Sequence, residues 1–238
     1  MVAAIIDMAR CPREAGHEIK QWTPRRSLDR KVHDVTAPSP TLIFDLGNVL
    51  IRHDNELLYD RLAACCADPA AARPHLAAWL SDEDIGCGRL SIEALHARLA
   101  ADHGFEETYA HFLELWSSHF SEEPGMEPVI RALARRHRVV LFSNTNAAHV
   151  EHIRANYQVF DHLHAAYLSH ELGLVKPDAD SFLKVLEMEG RPAEDCIFID
   201  DRAENTAAAA ALGMRTVTFA GRHACLAELD RYGVPLEF

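Results

Sequence analysis

Short apolar runs at 41–44, 139–143, 166–169, 197–200 and 216–219 are continuous rather than alternating. That pattern fits strands buried on both faces of a parallel sheet. Helical periodicity fills the intervals at 146–155, 178–189 and 203–212, and another helical stretch, 126–136, leads into the second run. Strands alternating with helices imply right-handed crossovers and an open, doubly wound α/β sheet. The interval between the first two runs is different. Residues 55–120 show helical stretches at 55–66, 70–82, 91–102 and 107–119, with breakers at 84–88 and 102–104 and no convincing strand. A crossover needs only a dozen or more residues, so this interval predicts a small helical subdomain inserted into a core made of 39–54 and 121–238. Residues 1–38 lack sustained periodicity and end in Thr36-Ala-Pro-Ser-Pro40. They read as a weakly ordered extension with one short helix near 2–10.

Composition narrows the class. Hydrophobic residues make up 48% of the chain and charged residues 25%, an ordinary globular profile. The net charge of −12 argues against nucleic acid or an anionic membrane as partner, since both require basic surface. It permits a phosphorylated ligand, because a metal and a few placed cations reverse the field locally. Six cysteines without C-x-x-C spacing read as reduced thiols. His149 and His152, three apart on a helix, read as an exposed pair rather than a metal site. No apolar run approaches the roughly 18 residues that span a bilayer, and the chain reads as cytoplasmic. The oligomeric state is not legible.

The chemistry gathers at the carboxyl ends of the predicted strands, where open α/β sheets bind ligands. Asp45, Gly47 and Asn48 follow the first strand, and Ser143, Asn144 and Thr145 end the second. Lys176, Pro177 and Asp178 follow the third, and Asp200 and Asp201 end the fourth. Each has a plainer reading: a turn at Asp45, a helix cap at 143–145, a solvated loop at Lys176, an N-cap at 200–201. One shared site accounts for all four together. A carboxylate that attacks phosphorus splits phosphomonoester hydrolysis into two easier steps. It also repels the phosphate it attacks, so cations are required. Mg²⁺ takes hard oxygen ligands, which Asp45, Asp201 and the Gly47 carbonyl can supply. Lys176 offsets charge, while Ser143 and the backbone N–H groups of Asn144 and Thr145 can donate to phosphoryl oxygens.

Four segments carry a resemblance: Phe44-Asp-Leu-Gly-Asn-Val49, Leu141-Phe-Ser-Asn-Thr145, Gly173-Leu-Val-Lys-Pro-Asp178 and Phe198-Ile-Asp-Asp201. As a set they resemble the four sequential motifs of the haloacid-dehalogenase (HAD) superfamily, over about residues 41–220. The first two are similar to those of its α-D-glucose-1-phosphate phosphatase subgroup. The resemblance implies a Rossmann-like α/β core with a small α-helical cap. It further implies a Mg²⁺-dependent phosphatase acting on a small phosphorylated metabolite, with an aspartyl-phosphate intermediate. Asp45 would be nucleophile and metal ligand, Asp201 the chief further ligand and Asp200 a supporting one. Ser143 and Asn144 would contact the phosphoryl or substrate group, and Lys176 would balance charge.

One departure bears on mechanism. Many superfamily phosphatases carry a second aspartate, acid then base, where this chain has Gly47. Positioned acid–base catalysis contributes ~10²–10⁴-fold, so its loss favours leaving groups that need little protonation, such as the hemiacetal oxygen of a sugar 1-phosphate. His53, Asp54 or a cap residue are the alternative donors, and Trp79, Asp82, Arg89, His96 and Trp116 are the conceivable cap contacts, although aromatic residues at helical spacing, as at Trp79 and Trp116, read first as core. Two competing readings stay open: a metal-independent dehalogenase, which the Asp200-Asp201 pair argues against, and a non-catalytic phosphometabolite-binding protein, to which Gly47 lends weight.

Overall fold

The computed structural model describes residues 39–80 and 83–236; the expectations for residues 1–38 and for Asp82 lie outside them. The strands are β1 (Thr41–Phe44), β2 (Ile51–His53), β3 (Phe120–Glu122), β4 (Arg138–Ser143), β5 (Ala165–Leu168), β6 (Cys196–Asp200) and β7 (Arg215–Thr218). Five of them form one sheet in the order β5-β4-β1-β6-β7, and every pair in it is parallel. The chain moves outward from β1 to β5, then returns past β1 to β6. The strand order therefore reverses beside β1, which places a ligand crevice at the ends of β1 and β6.

Burial on both faces explains why β1 is uniformly apolar. Leu42 and Phe44 enter one core layer, with Met126, Val129, Ile130, Leu141 and Ile199. Ile43 points the other way, into a layer with Val140, Phe142, Phe182 and Phe198. Helices α6 (Met126–Leu133), α7 (Ala147–Asn156), α8 (Ser169–Leu172), α9 (Ala179–Glu189), α10 (Ala203–Ala211) and α11 (Arg222–Arg231) accompany the sheet. Asn146 caps α7 through its side-chain oxygen, and Asp178 does the same for α9, so each helix starts directly after a candidate site loop.

Helices α1 (Asn55–Ala64), α2 (Pro69–Leu80), α3 (Glu83–Gly86), α4 (Ile92–His103) and α5 (Tyr109–Trp116) lie between β2 and β3. They share a separate apolar cluster that includes Leu58, Leu62, Leu76, Leu99, Phe112 and Trp116. Three features differ from expectation. The helix expected over 107–119 ends at Trp116, and Phe120–Glu122 pairs antiparallel with Ile51–His53. That two-stranded ribbon is too short for a periodicity signal, and its pairing partners are far apart in sequence. The apolar run at 166–169 also stops a residue early, because the fully buried Ser169 begins α8.

The helical insert and the core meet at polar contacts. Ser169 Oγ bonds to the Gly86 carbonyl at 2.6 Å. The His149 ring stacks on Trp116 at 5.1 Å between centroids, and its Nε2 donates to the Trp116 carbonyl at 3.2 Å. A carbonyl only accepts, so that nitrogen carries the hydrogen and Nδ1 accepts from Asn146 Nδ2 at 3.1 Å. His149 is thus a structural link between insert and site loop, and not half of an exposed pair with His152.

Candidate functional site

The motif residues converge at the crevice where the strand order reverses. Asp45 leaves β1 with its backbone N–H on the Ile199 carbonyl at 2.8 Å, which fixes the carboxylate beside the end of β6. Lys176 Nζ lies 2.8 Å from Asp45 Oδ1 and 2.6 Å from Asp200 Oδ2, and also donates to the Phe142 carbonyl at 3.0 Å. Its side chain is 1% exposed. Three acceptors satisfy the three ammonium donors, the condition under which a buried charge is tolerated.

Asp200 is fully buried and held from several sides. Besides Lys176, it accepts from the Arg202 N–H at 2.9 Å and from Asn205 Nδ2 at 2.9 and 3.0 Å. Asp201 is half-buried and lies 3.4 Å from Asn48 Nδ2. Burial raises the Asp45 carboxyl from its ordinary value, Lys176 opposes that, and Asp200 adds to it. Ligand oxygens of Asp45, Asp200 and Asp201 all lie within 4.8 Å of one another. Three carboxylates against one ammonium leave the floor anionic, and a hard divalent cation fits that oxygen set.

The loop after Asp45 explains its glycine. A Cβ on Gly47 would stand 3.0 Å from both Cδ2 and Nε2 of His53. The imidazole occupies the space a side chain at 47 needs, so the position expected to hold an acid holds the His53 ring instead. Asn48 adopts φ 52°, a left-handed conformation asparagine tolerates. Its amide brackets His53, accepting from the His53 N–H at 3.3 Å while Nδ2 meets His53 Nε2 at 3.2 Å. Asp54 accepts from the Leu57 N–H and caps α1.

The second loop is more committed than the sequence suggests. Ser143 is buried at the end of β4 and lines the cleft. Asn144 Nδ2 donates to the Lys176 carbonyl at 2.8 Å, and the Lys176 N–H donates to Asn144 Oδ1 at 2.9 Å. The side-chain amide therefore clamps the backbone of the lysine from both directions. The Thr145 N–H donates to Ser169 Oγ at 2.9 Å, so it is engaged with the core and not free for a phosphoryl oxygen, as had been expected.

These groups line a cleft of about 690 Å³, with Asp45, Gly47, Ser143, Asn144, Lys176 and Asp201 on its wall and floor. The helices of the insert contribute Asn55, Ile85 and Gly86 to it rather than the cap residues suggested by the sequence. Trp79 packs with His75, His103 and Arg98, and Arg89 pairs with Asp84. His96 sits among Phe105, Tyr109 and Phe112, while Trp116 is fully buried. One cleft residue carried no sequence signal at all. His119 lies at the end of the insert, after α5, and reaches the cleft because Phe120 pairs with His53 across β2 and β3.

Comparison with known proteins bears on the family and the fold. The family model for haloacid dehalogenase-like hydrolases matches residues 40–213. D-ribitol-5-phosphate phosphatase of Bacteroides thetaiotaomicron is 24% identical over 185 residues, which cover 74% of this chain and 89% of that protein. Drimenol cyclase drtB of Aspergillus calidoustus is 34% identical over 83 residues; the match takes in 34% of this chain and only 15% of that protein. A HAD family enzyme of Bacteroides thetaiotaomicron, solved in complex with magnesium and inorganic phosphate, shares the fold with a TM-score of 0.68. It is 23% identical, with 77% of this chain and 95% of that chain covered.

Proposed function

Since the chain belongs to the haloacid dehalogenase-like hydrolase family, we propose that it is a Mg²⁺-dependent phosphatase of small phosphomonoesters, with Asp45 as nucleophile. The observation that carries this reading is the buried lysine: Lys176 bridges Asp45 and Asp200 at 2.8 and 2.6 Å while Asp201 brings a third carboxylate into range. Asp45, Asp201 and the Gly47 carbonyl would hold the metal, with Asp200 in support. Bound there, Mg²⁺ supplies positive charge against the phosphoryl oxygens.

The chain's own residues do the rest. An Asp45 oxygen attacks phosphorus, the ester oxygen departs with the bonding pair, and an aspartyl-phosphate forms. Water then attacks that phosphorus, releasing inorganic phosphate and restoring the carboxylate. Lys176 keeps Asp45 oriented and offsets charge as oxygens approach it. Ser143, buried on the cleft wall, donates its hydroxyl to the phosphoryl group. Asn144, its amide clamped on Lys176, meets the phosphoryl group through its backbone N–H. Asp200 holds Lys176 and is itself oriented by Asn205.

Gly47 supports a leaving group that departs readily. A sugar 1-phosphate leaves as a hemiacetal oxygen, less basic than a simple alkoxide, and glucose 1-phosphate is the first candidate. The relative named for ribitol 5-phosphate makes polyol phosphates the second. Release of phosphate from p-nitrophenyl phosphate, glucose 1-phosphate and ribitol 5-phosphate tests the proposal. It should require Mg²⁺, stop with EDTA and vanish in Asp45→Asn. Turnover that survives Asp45→Asn, or halide release from a 2-haloacid without metal, would overturn it.

A further inference from the structure

The loop that ends β4 is held by a side chain to which the proposed chemistry gives no part. Ser169 opens α8, is fully buried and is not among the residues that line the cleft. Its hydroxyl accepts the Thr145 N–H at 2.9 Å, which leaves its own hydrogen for one of two carbonyls. The Gly86 carbonyl lies at 2.6 Å and that of Thr145 at 3.1 Å. The Thr145 carbonyl is already served. His170 Nδ1 stands 3.1 Å from it, and since a carbonyl only accepts, that nitrogen carries the hydrogen. The Ser169 hydrogen therefore goes to Gly86, the nearer oxygen. A continuous chain of hydrogen bonds results, from the Thr145 N–H through the Ser169 hydroxyl to the Gly86 carbonyl. Bonds that share a hydroxyl in this way polarise and strengthen one another.

Glycines let the insert come this close. A Cβ on Gly88, whose φ of 72° already favours glycine, would stand 2.8 Å from the His170 carbonyl oxygen, closer than real side chains approach. A Cβ on Gly86 would stand 3.3 Å from Val175 Cγ1, one residue before Lys176. The chain from the end of α3 to Gly88 thus rests on α8 and on the lysine loop together. Ile85 and Gly86 also form part of the cleft wall. With Asn144 clamped on the Lys176 backbone and Thr145 on Ser169, consecutive residues of the phosphoryl-binding loop are anchored.

We propose that Ser169 is a positioning residue: its hydroxyl ties the helical insert to the phosphoryl-binding loop, so that the placement of Gly86 sets the orientation of the Asn144–Thr145 backbone. The inference rests on the phosphatase reading and adds to it a path by which the insert governs phosphoryl transfer. The cleft wall at Ile85 and Gly86 and the loop that meets the phosphoryl group act as one unit.

Two substitutions break the link from opposite ends. Ser169→Ala removes the hydroxyl shared by the Thr145 N–H and the Gly86 carbonyl. Gly88→Ala keeps that hydroxyl and forces the insert off α8, at a residue that does not line the cleft. Each should lower kcat for p-nitrophenyl phosphate about 10- to 100-fold while KM changes less than about threefold. The double variant should be no slower than the slower single one, because both remove the same link. Orthovanadate takes the five-coordinate geometry of phosphorus in transfer, so its Ki should rise about as much as kcat falls, with the Ki of inorganic phosphate within about threefold of the parent. A merely structural loss lowers the folded fraction and leaves both Ki values alone. Full kcat in Gly88→Ala, multiplying losses in the double variant, or unaltered vanadate inhibition would overturn the proposal. Gly88→Ala carries the test where Ser169→Ala does not fold. If the parent releases no phosphate from p-nitrophenyl phosphate with Mg²⁺, the phosphatase reading fails separately. Amide hydrogen exchange over residues 143–146 then reads the link without turnover. Gly88→Ala should accelerate it about tenfold, and unaltered exchange would overturn the positioning role.

Discussion

Replacing Lys176 by Met keeps most of the stem's volume and removes the ammonium that separates Asp45 from Asp200. Both carboxylates then face each other in a site where the lysine side chain is 1% exposed and that of Asp200 is 0% exposed. Removing one partner of a buried ion pair destabilises by about 3–5 kcal/mol, because the other is left uncompensated. For a chain of this size that corresponds to a loss of roughly 6–20 °C in melting temperature. The dependence on pH has a definite sign. Asp45 is already raised from its ordinary value, by burial first and by Asp200, with Lys176 opposing. A carboxyl raised in the folded state binds its proton more tightly there than in the unfolded chain. Its contribution is therefore most favourable at low pH and is lost as pH rises through the folded value. Without Lys176 that value climbs further. Urea unfolding in EDTA should show the full deficit at about pH 7.5, recovering by up to ~1.4 kcal/mol per pH unit once the variant's carboxyl takes up its proton. Adding Asp200→Asn should recover much of the deficit at high pH by removing one of the facing charges. A Lys176→Met protein as stable as the parent, or a deficit that is the same at about pH 5.5 and pH 7.5, would refute the electrostatic account.

Other perturbations probe the neighbouring contacts. Gly47→Ala places a methyl 3.0 Å from the His53 ring, which Asn48 holds at both its backbone N–H and its Nε2, and overpacking of this kind destabilises by about 1–3 kcal/mol. Combination with His53→Ala should relieve that loss, and simple additivity in denaturant unfolding would contradict the contact. Asn144→Ala removes two hydrogen bonds to the Lys176 backbone and should lower stability by about 1–3 kcal/mol. Its kcat should fall more than its affinity for inorganic phosphate; a rise in phosphate Ki with kcat intact would mark the side chain as a direct phosphate contact instead.

The residue types and their order along the chain determined much of this protein. Continuous apolar runs predict β1, β4 and β6 because strands buried on both faces have no polar side to encode, and all three occur. The run at 216–219 anticipates β7 within one residue, although β7 is an edge strand and only Val217 in it is buried. The strand-end carboxylates and Lys176 were legible because a doubly wound sheet delivers its strand ends to one edge, and they converge there. Tertiary structure alone decided the rest. The β2–β3 ribbon pairs three residues with three others across the whole insert, an interaction with no local period, and that pairing brings His119 to the cleft. Asn144 was legible as a candidate phosphoryl contact, but only the placement of the Lys176 loop shows its side-chain amide committed to that backbone, so its proposed contact rests on the backbone N–H. Gly47 is the clearest case. From sequence it is an absent acid, whereas in the fold it is the space occupied by His53, because six residues of tight loop return the chain onto itself. Local patterns encode which faces are buried, but they carry no record of which distant side chain fills a given volume.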